Sequence, residues 1–231
     1  MISNKIRVNF TVSRATLSLV LLTLLCCILL IIRAVETQQV RGLFLLWNLF
    51  LAWVPLFFAL VARRLALTLS GITTSKQILI YITLAFWLLF FPNSPYLITD
   101  LIHLAEYNTQ ILWFDTVGFF IAALAGMATG LYSLYVAHQV LNQLTTSLIA
   151  WIIVSASIIL SGFGLYLGRF VRFNSWDLFT NPFYLFRKSF QELQNPLAMQ
   201  TTMVFTLVVM VLYISMIILI QNRHASVKNA A

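Results

Sequence analysis

Residues 78–105 read ILIYITLAFWLLFFPNSPYLITDLIHLA, and the fold turns on how this stretch is cut. Ile78 to Phe91 is an apolar run that, at about 1.5 Å per residue, reaches about 21 Å, short of a hydrocarbon core of about 30 Å. Pro92-Asn93-Ser94-Pro95 then interrupts it. Ser94 is placed to cap a second helix with Pro95 at its first position, and that helix extends to about Ala105. The expectation is a broken or re-entrant helix after a short third span.

The rest of the chain places that break in a membrane. Of 231 residues, 61% are apolar and only 9% charged, with a mean hydropathy of +0.94. A soluble chain carries about 25% charged residues, so this one cannot cover a water-facing surface. Further apolar runs cover 15–32, 43–62, 113–137, 148–167 and 199–220. The first exceeds the roughly 7–15 residues of a signal-peptide core and has no small-residue cleavage site before Arg33, so it reads as a span. Pro55 falls inside the second and is expected to kink it. The fold class is all-α: one polytopic transmembrane helical bundle of about six spans, a single integral membrane domain over 1–231.

Between spans five and six the chain is no plain loop. Asn181-Pro182 reads as a helix start, after which Phe183, Phe186, Phe190 and Leu193 share one face and Arg187, Lys188 and Gln191 the other. That pattern is an amphipathic helix lying in the membrane interface. By parity, the loop around Asn108 and the aromatic segment around Asn174 share a membrane side, opposite both termini. Eight basic residues on the terminal side against six on the other place both termini in the cytoplasm. In span four, Gly118, Ala122, Gly126 and Gly130 recur every fourth residue beside Ala125, Thr129, Ser133 and Ala137, a small-residue ridge for helix packing in lipid. Cys26 and Cys27 read as small buried hydrophobes. No metal site or cofactor motif is present, and no Lys/Arg-rich patch points to nucleic acid.

Two polar constellations remain. On a helix from Pro95, Tyr96, Thr99/Asp100, His103 and Glu106/Tyr107 share a stripe. An acid three residues before a histidine suits a hydrogen bond, a proton relay or a pair of metal ligands; the plain alternative is the wet face of an interfacial helix. In the second, Arg169 and Arg172 lie three apart at a helix end, where they can clamp an anionic group, with Asn174 and Asp177 following. Its plain alternative is a basic anchor at the headgroups with Asp177 as a local ion-pair partner. Asp115 reads as a carboxylate favouring the start of span four, and His138 as an imidazole at its far end, across the membrane from His103.

The segments PNSPYLITDLIHL (92–104) and YLGRFVRFNSWDL (166–178) resemble the bacterial membrane family catalogued as domain of unknown function 1361, from about span two to span six. The resemblance implies a multi-pass protein of the bacterial cell (inner) membrane and assigns no chemistry. The residues themselves point first to binding or transport of a small anionic or lipid-headgroup substrate. The site residues for that reading are Asn93, Tyr96, Asp100, His103, Arg169, Arg172, Asn174 and Asp177, drawn into one cavity. With no internal repeat, six spans favour a homodimer for a transporter. One alternative is an embedded enzyme acting on a lipid or polyprenyl phosphate, with Asp100 and His103 as catalytic groups. Another is a structural partner of a second membrane protein.

Overall fold

A computed structural model describes residues 14–38, 42–68, 74–106 and 111–229. Tyr107 and Asn108, expected on the polar stripe and in the outward loop, lie outside the described residues. Among those described there is no strand. The elements are α1 (Arg14–Thr37), α2 (Phe44–Thr68), α3 (Thr74–Phe90), α4 (Asn93–Thr99), a 3₁₀ segment (Asp100–Glu106), α5 (Leu112–Leu144), α6 (Ser147–Tyr166), a π turn (Leu167–Val171), α7 (Asp177–Thr180), α8 (Pro182–Glu192) and α9 (Pro196–Asn229). Six stretches are long and apolar enough to cross a membrane: Arg14–Thr37, Phe44–Leu67, Thr74–Ala105, Leu112–Leu144, Ser147–Val171 and Pro196–Gln221. The chain is an all-α, multi-pass membrane bundle.

α5 is its centre. It packs on α1, α2, α4 and the start of α6, while α9 is held at the periphery mainly by α6. One core gathers Trp87, Leu134, Val140 and Tyr213; a second, at the end bearing the polar residues, gathers Leu45, Leu49, Leu97, Phe119 and Ala122. Lipid is as apolar as leucine, so contact between helices depends on close packing. The small ridge of α5 supplies it. A Cβ at Gly126 would stand 2.8 Å from the Ser94 carbonyl oxygen, and one at Gly130 would stand 2.7 Å from Ser94 Cβ. On the other side, a Cβ at Gly164 of α6 would meet Pro92 Cγ at 2.8 Å. The break is thus clasped between α5 and α6.

The break is tighter than the sequence implied, and Ser94 does not cap it. α3 ends at Phe90 and α4 begins at Asn93, with no side-chain cap. Ser94 Oγ instead donates to the Ala52 carbonyl at 3.0 Å, one turn before Pro55 in α2. α2 runs as one helix through Pro55. The Ser94 and Tyr96 N–H groups donate to the Phe91 and Pro92 carbonyls, both at 3.2 Å, and the two prolines have no N–H. An array of free N–H groups at Pro95 is therefore not available. α5 also continues past its expected end to Leu144, so His138 is not a terminal imidazole. It is buried, with Nδ1 at 2.7 Å from the Tyr213 hydroxyl and Trp151 edge-on at 4.7 Å.

α8 buries no residue. Phe183, Phe186 and Phe190 are 88%, 60% and 77% exposed, as an interfacial helix requires. Its end is tied down. The Tyr166 hydroxyl donates to Glu192 Oε2 at 2.7 Å, Asn195 Nδ2 donates to the same oxygen at 2.8 Å, and Lys188 pairs with Oε1 at 2.8 Å. The hydrogen bonds from Lys188, Tyr166 and Asn195 hold the Glu192 carboxyl down at about 2.

Candidate functional site

Two irregular turns meet at one end of the bundle. After α4 the chain tightens into 3₁₀ geometry, in which residues three apart eclipse, so Asp100 and His103 fall on one face. α6 loosens into a π turn that carries Arg169. Arg169 Nη1 donates to Asp100 Oδ1 at 3.2 Å and to the Tyr96 hydroxyl at 3.4 Å, and Nη2 donates to His103 Nε2 at 3.1 Å. Since a guanidinium only donates, that imidazole nitrogen is the acceptor. The Arg169 head also lies 5.7 Å from the Tyr96 ring centre, within cation–π range. Asp100 is 1% exposed and Arg169 14%. Asn48 Nδ2, from α2, donates to Asp100 Oδ2 at 2.8 Å, and Phe44 meets the His103 ring edge-on at 5.2 Å.

Beside this cluster is a cavity of about 230 Å³. Asn48 and Tyr96 line it, with Asn93, Asn174, Trp47 and Trp176 among the other walls. Its floor is the break and its roof the aromatic segment after the π turn. Asn93 Nδ2 ties the two by donating to the Phe90 carbonyl at 3.0 Å and to Ser175 Oγ at 3.1 Å.

The eight residues singled out in the sequence therefore divide. Asp100, His103, Arg169 and Tyr96 form the cluster. Asn93, Tyr96 and Asn174 line the cavity. Arg172 and Asp177 join neither. Arg172 sits in the left-handed region with φ 65° and is exposed, and among the described residues no ion pair reaches it. The two-arginine clamp assumed an α-helical turn; the π turn and the reversal at Arg172 separate the pair. Asp177 pairs with no arginine among the described residues; its Oδ2 accepts the Asn174 N–H at 2.7 Å.

Two partners went unread in the sequence. Asn48 is a lone amide inside FLLWNLFLAW, and a polar group in an apolar span is the signal that marks it. Arg33 pairs with Asp115, through Nε to Oδ1 and Nη2 to Oδ2 at 3.4 Å, with exposures of 5% and 0%. Asp115 does lie in the first turn of α5, but its partner is a guanidinium of α1 as well as the helix dipole. Among the described residues no group of three or more His, Cys, Asp or Glu is arranged to hold a metal.

No curated protein and no solved structure matches the chain. A family match does extend over residues 47–216, from the cavity wall at Trp47 to the middle of α9. It takes in the break, the π turn and the whole roof of the cavity. The chain belongs to the family described as protein of unknown function DUF1361.

Proposed function

We propose that the chain binds a phosphate-bearing lipid headgroup, or a small anion of the same chemistry, in the cavity between the break and its aromatic roof. It acts there as a binding or transport protein. The observation that carries this is the position of Tyr96. Its hydroxyl accepts from Arg169, so its own proton remains to donate, and the residue lines the cavity. The Asn174 amide and the Trp47 and Trp176 indole N–H groups add neutral donors to the walls. Arg169 is already balanced by Asp100, so the charge behind Tyr96 strengthens a donor without presenting a bare cation.

The depth fits the ligand. The roof leads into α8, whose exposed phenylalanines belong at the headgroup level. Eight basic residues and no acidic ones lie on the side of the termini, and all six acidic residues lie on the cavity side. Two of the six basic residues on the cavity side, Arg33 and Arg169, are spent on buried pairs. This supports cytoplasmic termini and an outward-facing cavity in a bacterial inner membrane.

Native mass spectrometry from mixed phospholipid nanodiscs tests the reading. Wild-type protein should retain a phospholipid that Asn174→Trp, an exposed position at the cavity wall, loses. Equal retention by both would remove the proposal.

A second reading, an enzyme using Asp100 and His103, is favoured by their convergence on one guanidinium. Against it, neither lines the cavity and His103 Nε2 is occupied. Comparing the lipids of cells expressing wild type or His103→Gln separates the two. A lipid species that depends on His103 would favour the enzyme.

A further inference from the structure

The walls of the polar cavity carry no formal charge. No Asp, Glu, Lys or Arg is among the described residues that line it, and its polar side chains are Asn48, Asn93, Tyr96, Asn174 and Ser175 with two indoles. Two of the carboxamides are fixed end for end. Asn48 Nδ2 donates to Asp100 Oδ2 at 2.8 Å, and Asn93 Nδ2 donates to the Phe90 carbonyl at 3.0 Å. A carboxylate and a carbonyl only accept, so in both amides the nitrogen is the end so engaged. Asn93 spends its second N–H on Ser175 Oγ at 3.1 Å, and Ser175 in turn donates to the Leu89 carbonyl at 3.3 Å. What Asn93 has left for the cavity is Oδ1, an acceptor. Asn48 keeps its Oδ1 as well, and among the described residues neither oxygen accepts a hydrogen bond.

The wall therefore offers donors at Tyr96, Asn174 and the indoles, and acceptors at Asn48 and Asn93. A phosphodiester satisfies the first set only, because its oxygens accept and do not donate. Laid against the two amide oxygens, it would cover them without a partner, which costs free energy. The ligand must carry a donor beside its phosphate. An ammonium donates, but it would leave water for a wall with no carboxylate. Asp100 is 1% exposed and already held by Arg169 and Asn48. A hydroxyl donates without bringing a charge, and it also accepts. The cavity, of about 230 Å³, lies below the roughly 300–1,000 Å³ usual for small-molecule sites, which limits the headgroup to a few hydroxylated carbons.

We infer that the ligand of the cavity is a phosphate ester of a small polyol, glycerol being the simplest. Its phosphate accepts from Tyr96 and Asn174, and its hydroxyls donate to the side-chain oxygens of Asn48 and Asn93. This rests on the headgroup reading above and adds the class of headgroup.

The test compares two lipids that differ only in the hydroxyls. The full chain is placed in phosphatidylcholine nanodiscs containing equal amounts of phosphatidylglycerol and phosphatidylpropanol with the same acyl chains, and retained lipid is read by native mass spectrometry. Both are singly charged phosphodiesters, and only the first can donate. Wild type should retain phosphatidylglycerol about tenfold over phosphatidylpropanol, since a site built to bind a hydroxyl rejects the analogue without it. Asn48→Leu and Asn93→Leu should each bring that ratio toward one. Equal retention of the two lipids by wild type, or a ratio unchanged in both variants, would overturn the inference and leave the headgroup reading standing. A preference for phosphatidylethanolamine over phosphatidylglycerol would overturn it too, by making the donor an ammonium. Glycerol 3-phosphate retained where phosphatidylglycerol is not would support the polyol and make the free ester its source. Retention of no phospholipid and no added glycerol 3-phosphate by wild type would remove both readings.

Discussion

The bundle buries two arginine–aspartate pairs at the same end, and they are built differently. Arg33–Asp115 joins two regular helices, α1 and α5, and both side chains are buried. Arg169–Asp100 joins a π turn to a 3₁₀ segment, retains some exposure at the arginine, and shares its charges with Tyr96, His103 and Asn48 beside a cavity. A pair buried this completely between two helices fastens them. A pair whose arginine has several acceptors, next to a space lined by donors, can pass its field to whatever occupies that space. The contrast separates a bolt from a site, although both are the same chemical pair at the same end of the bundle.

The largest effect should fall on the bolt. Asp115→Leu removes the buried carboxylate that Arg33 pairs with, and stability measured by unfolding in mixed micelles should fall by about 3–5 kcal/mol. Adding Arg33→Met should recover most of that loss. If the double variant is as unstable as the single, the pair does more than fasten α1 to α5.

Arg169→Met should cost less, about 1.5–3 kcal/mol, because Asn48 still donates to Asp100. It should abolish headgroup retention, which Asp115→Leu/Arg33→Met should not. Arg169→Lys should fail to restore retention, since a single ammonium cannot reproduce the fork that reaches Tyr96, Asp100 and His103. Full retention by Arg169→Lys would reduce the cluster to a point charge.

Gly130→Ala places a methyl carbon where Ser94 Cβ already stands at 2.7 Å. It should cost about 1–3 kcal/mol through overpacking and should disturb the break that floors the cavity. An unchanged stability would mean that the clasp between α4 and α5 is looser than these distances indicate.

How much of this was legible in the sequence follows from the range of each interaction. The spans were legible because hydropathy is a property of each segment alone, and α8 because Phe183, Phe186 and Phe190 repeat at helical spacing. The convergence of Asp100 and His103 on one face was legible as well, since a spacing of three serves both α and 3₁₀ geometry. Arg33–Asp115 and Asn48–Asp100 were not, because each joins residues far apart in the chain and no local pattern encodes a partner. The Arg169/Arg172 clamp misled for a different reason: it assumed α geometry where the backbone takes a π turn and then reverses at Arg172. Ser94 misled because a buried acceptor, the Ala52 carbonyl, competes successfully with the cap.

A smaller effect concerns the tether of the roof. With the Glu192 carboxyl held at about 2, below its usual value, the contribution of this anchor is complete above the ordinary glutamate range of about 4.3. It is lost as pH falls through about 2. The accessibility of a label on α8 should therefore stay constant from neutral pH to about pH 4 and rise only below that. Glu192→Gln should show the raised accessibility at neutral pH. A transition in the ordinary glutamate range would mean that Tyr166, Asn195 and Lys188 do not hold the carboxylate.

The measurement closest to the central claim is distance-sensitive solid-state NMR between lipid phosphorus and nitrogen-15 in asparagine side chains, with the protein in phospholipid bilayers. The account predicts phosphorus dephasing of an asparagine side-chain signal, assigned to Asn174 or Asn48 at the cavity wall, that disappears in Asn174→Trp and Arg169→Met and persists in Asp115→Leu/Arg33→Met. Dephasing confined to exposed basic side chains such as Arg172 and Arg187, with every asparagine silent, would contradict it.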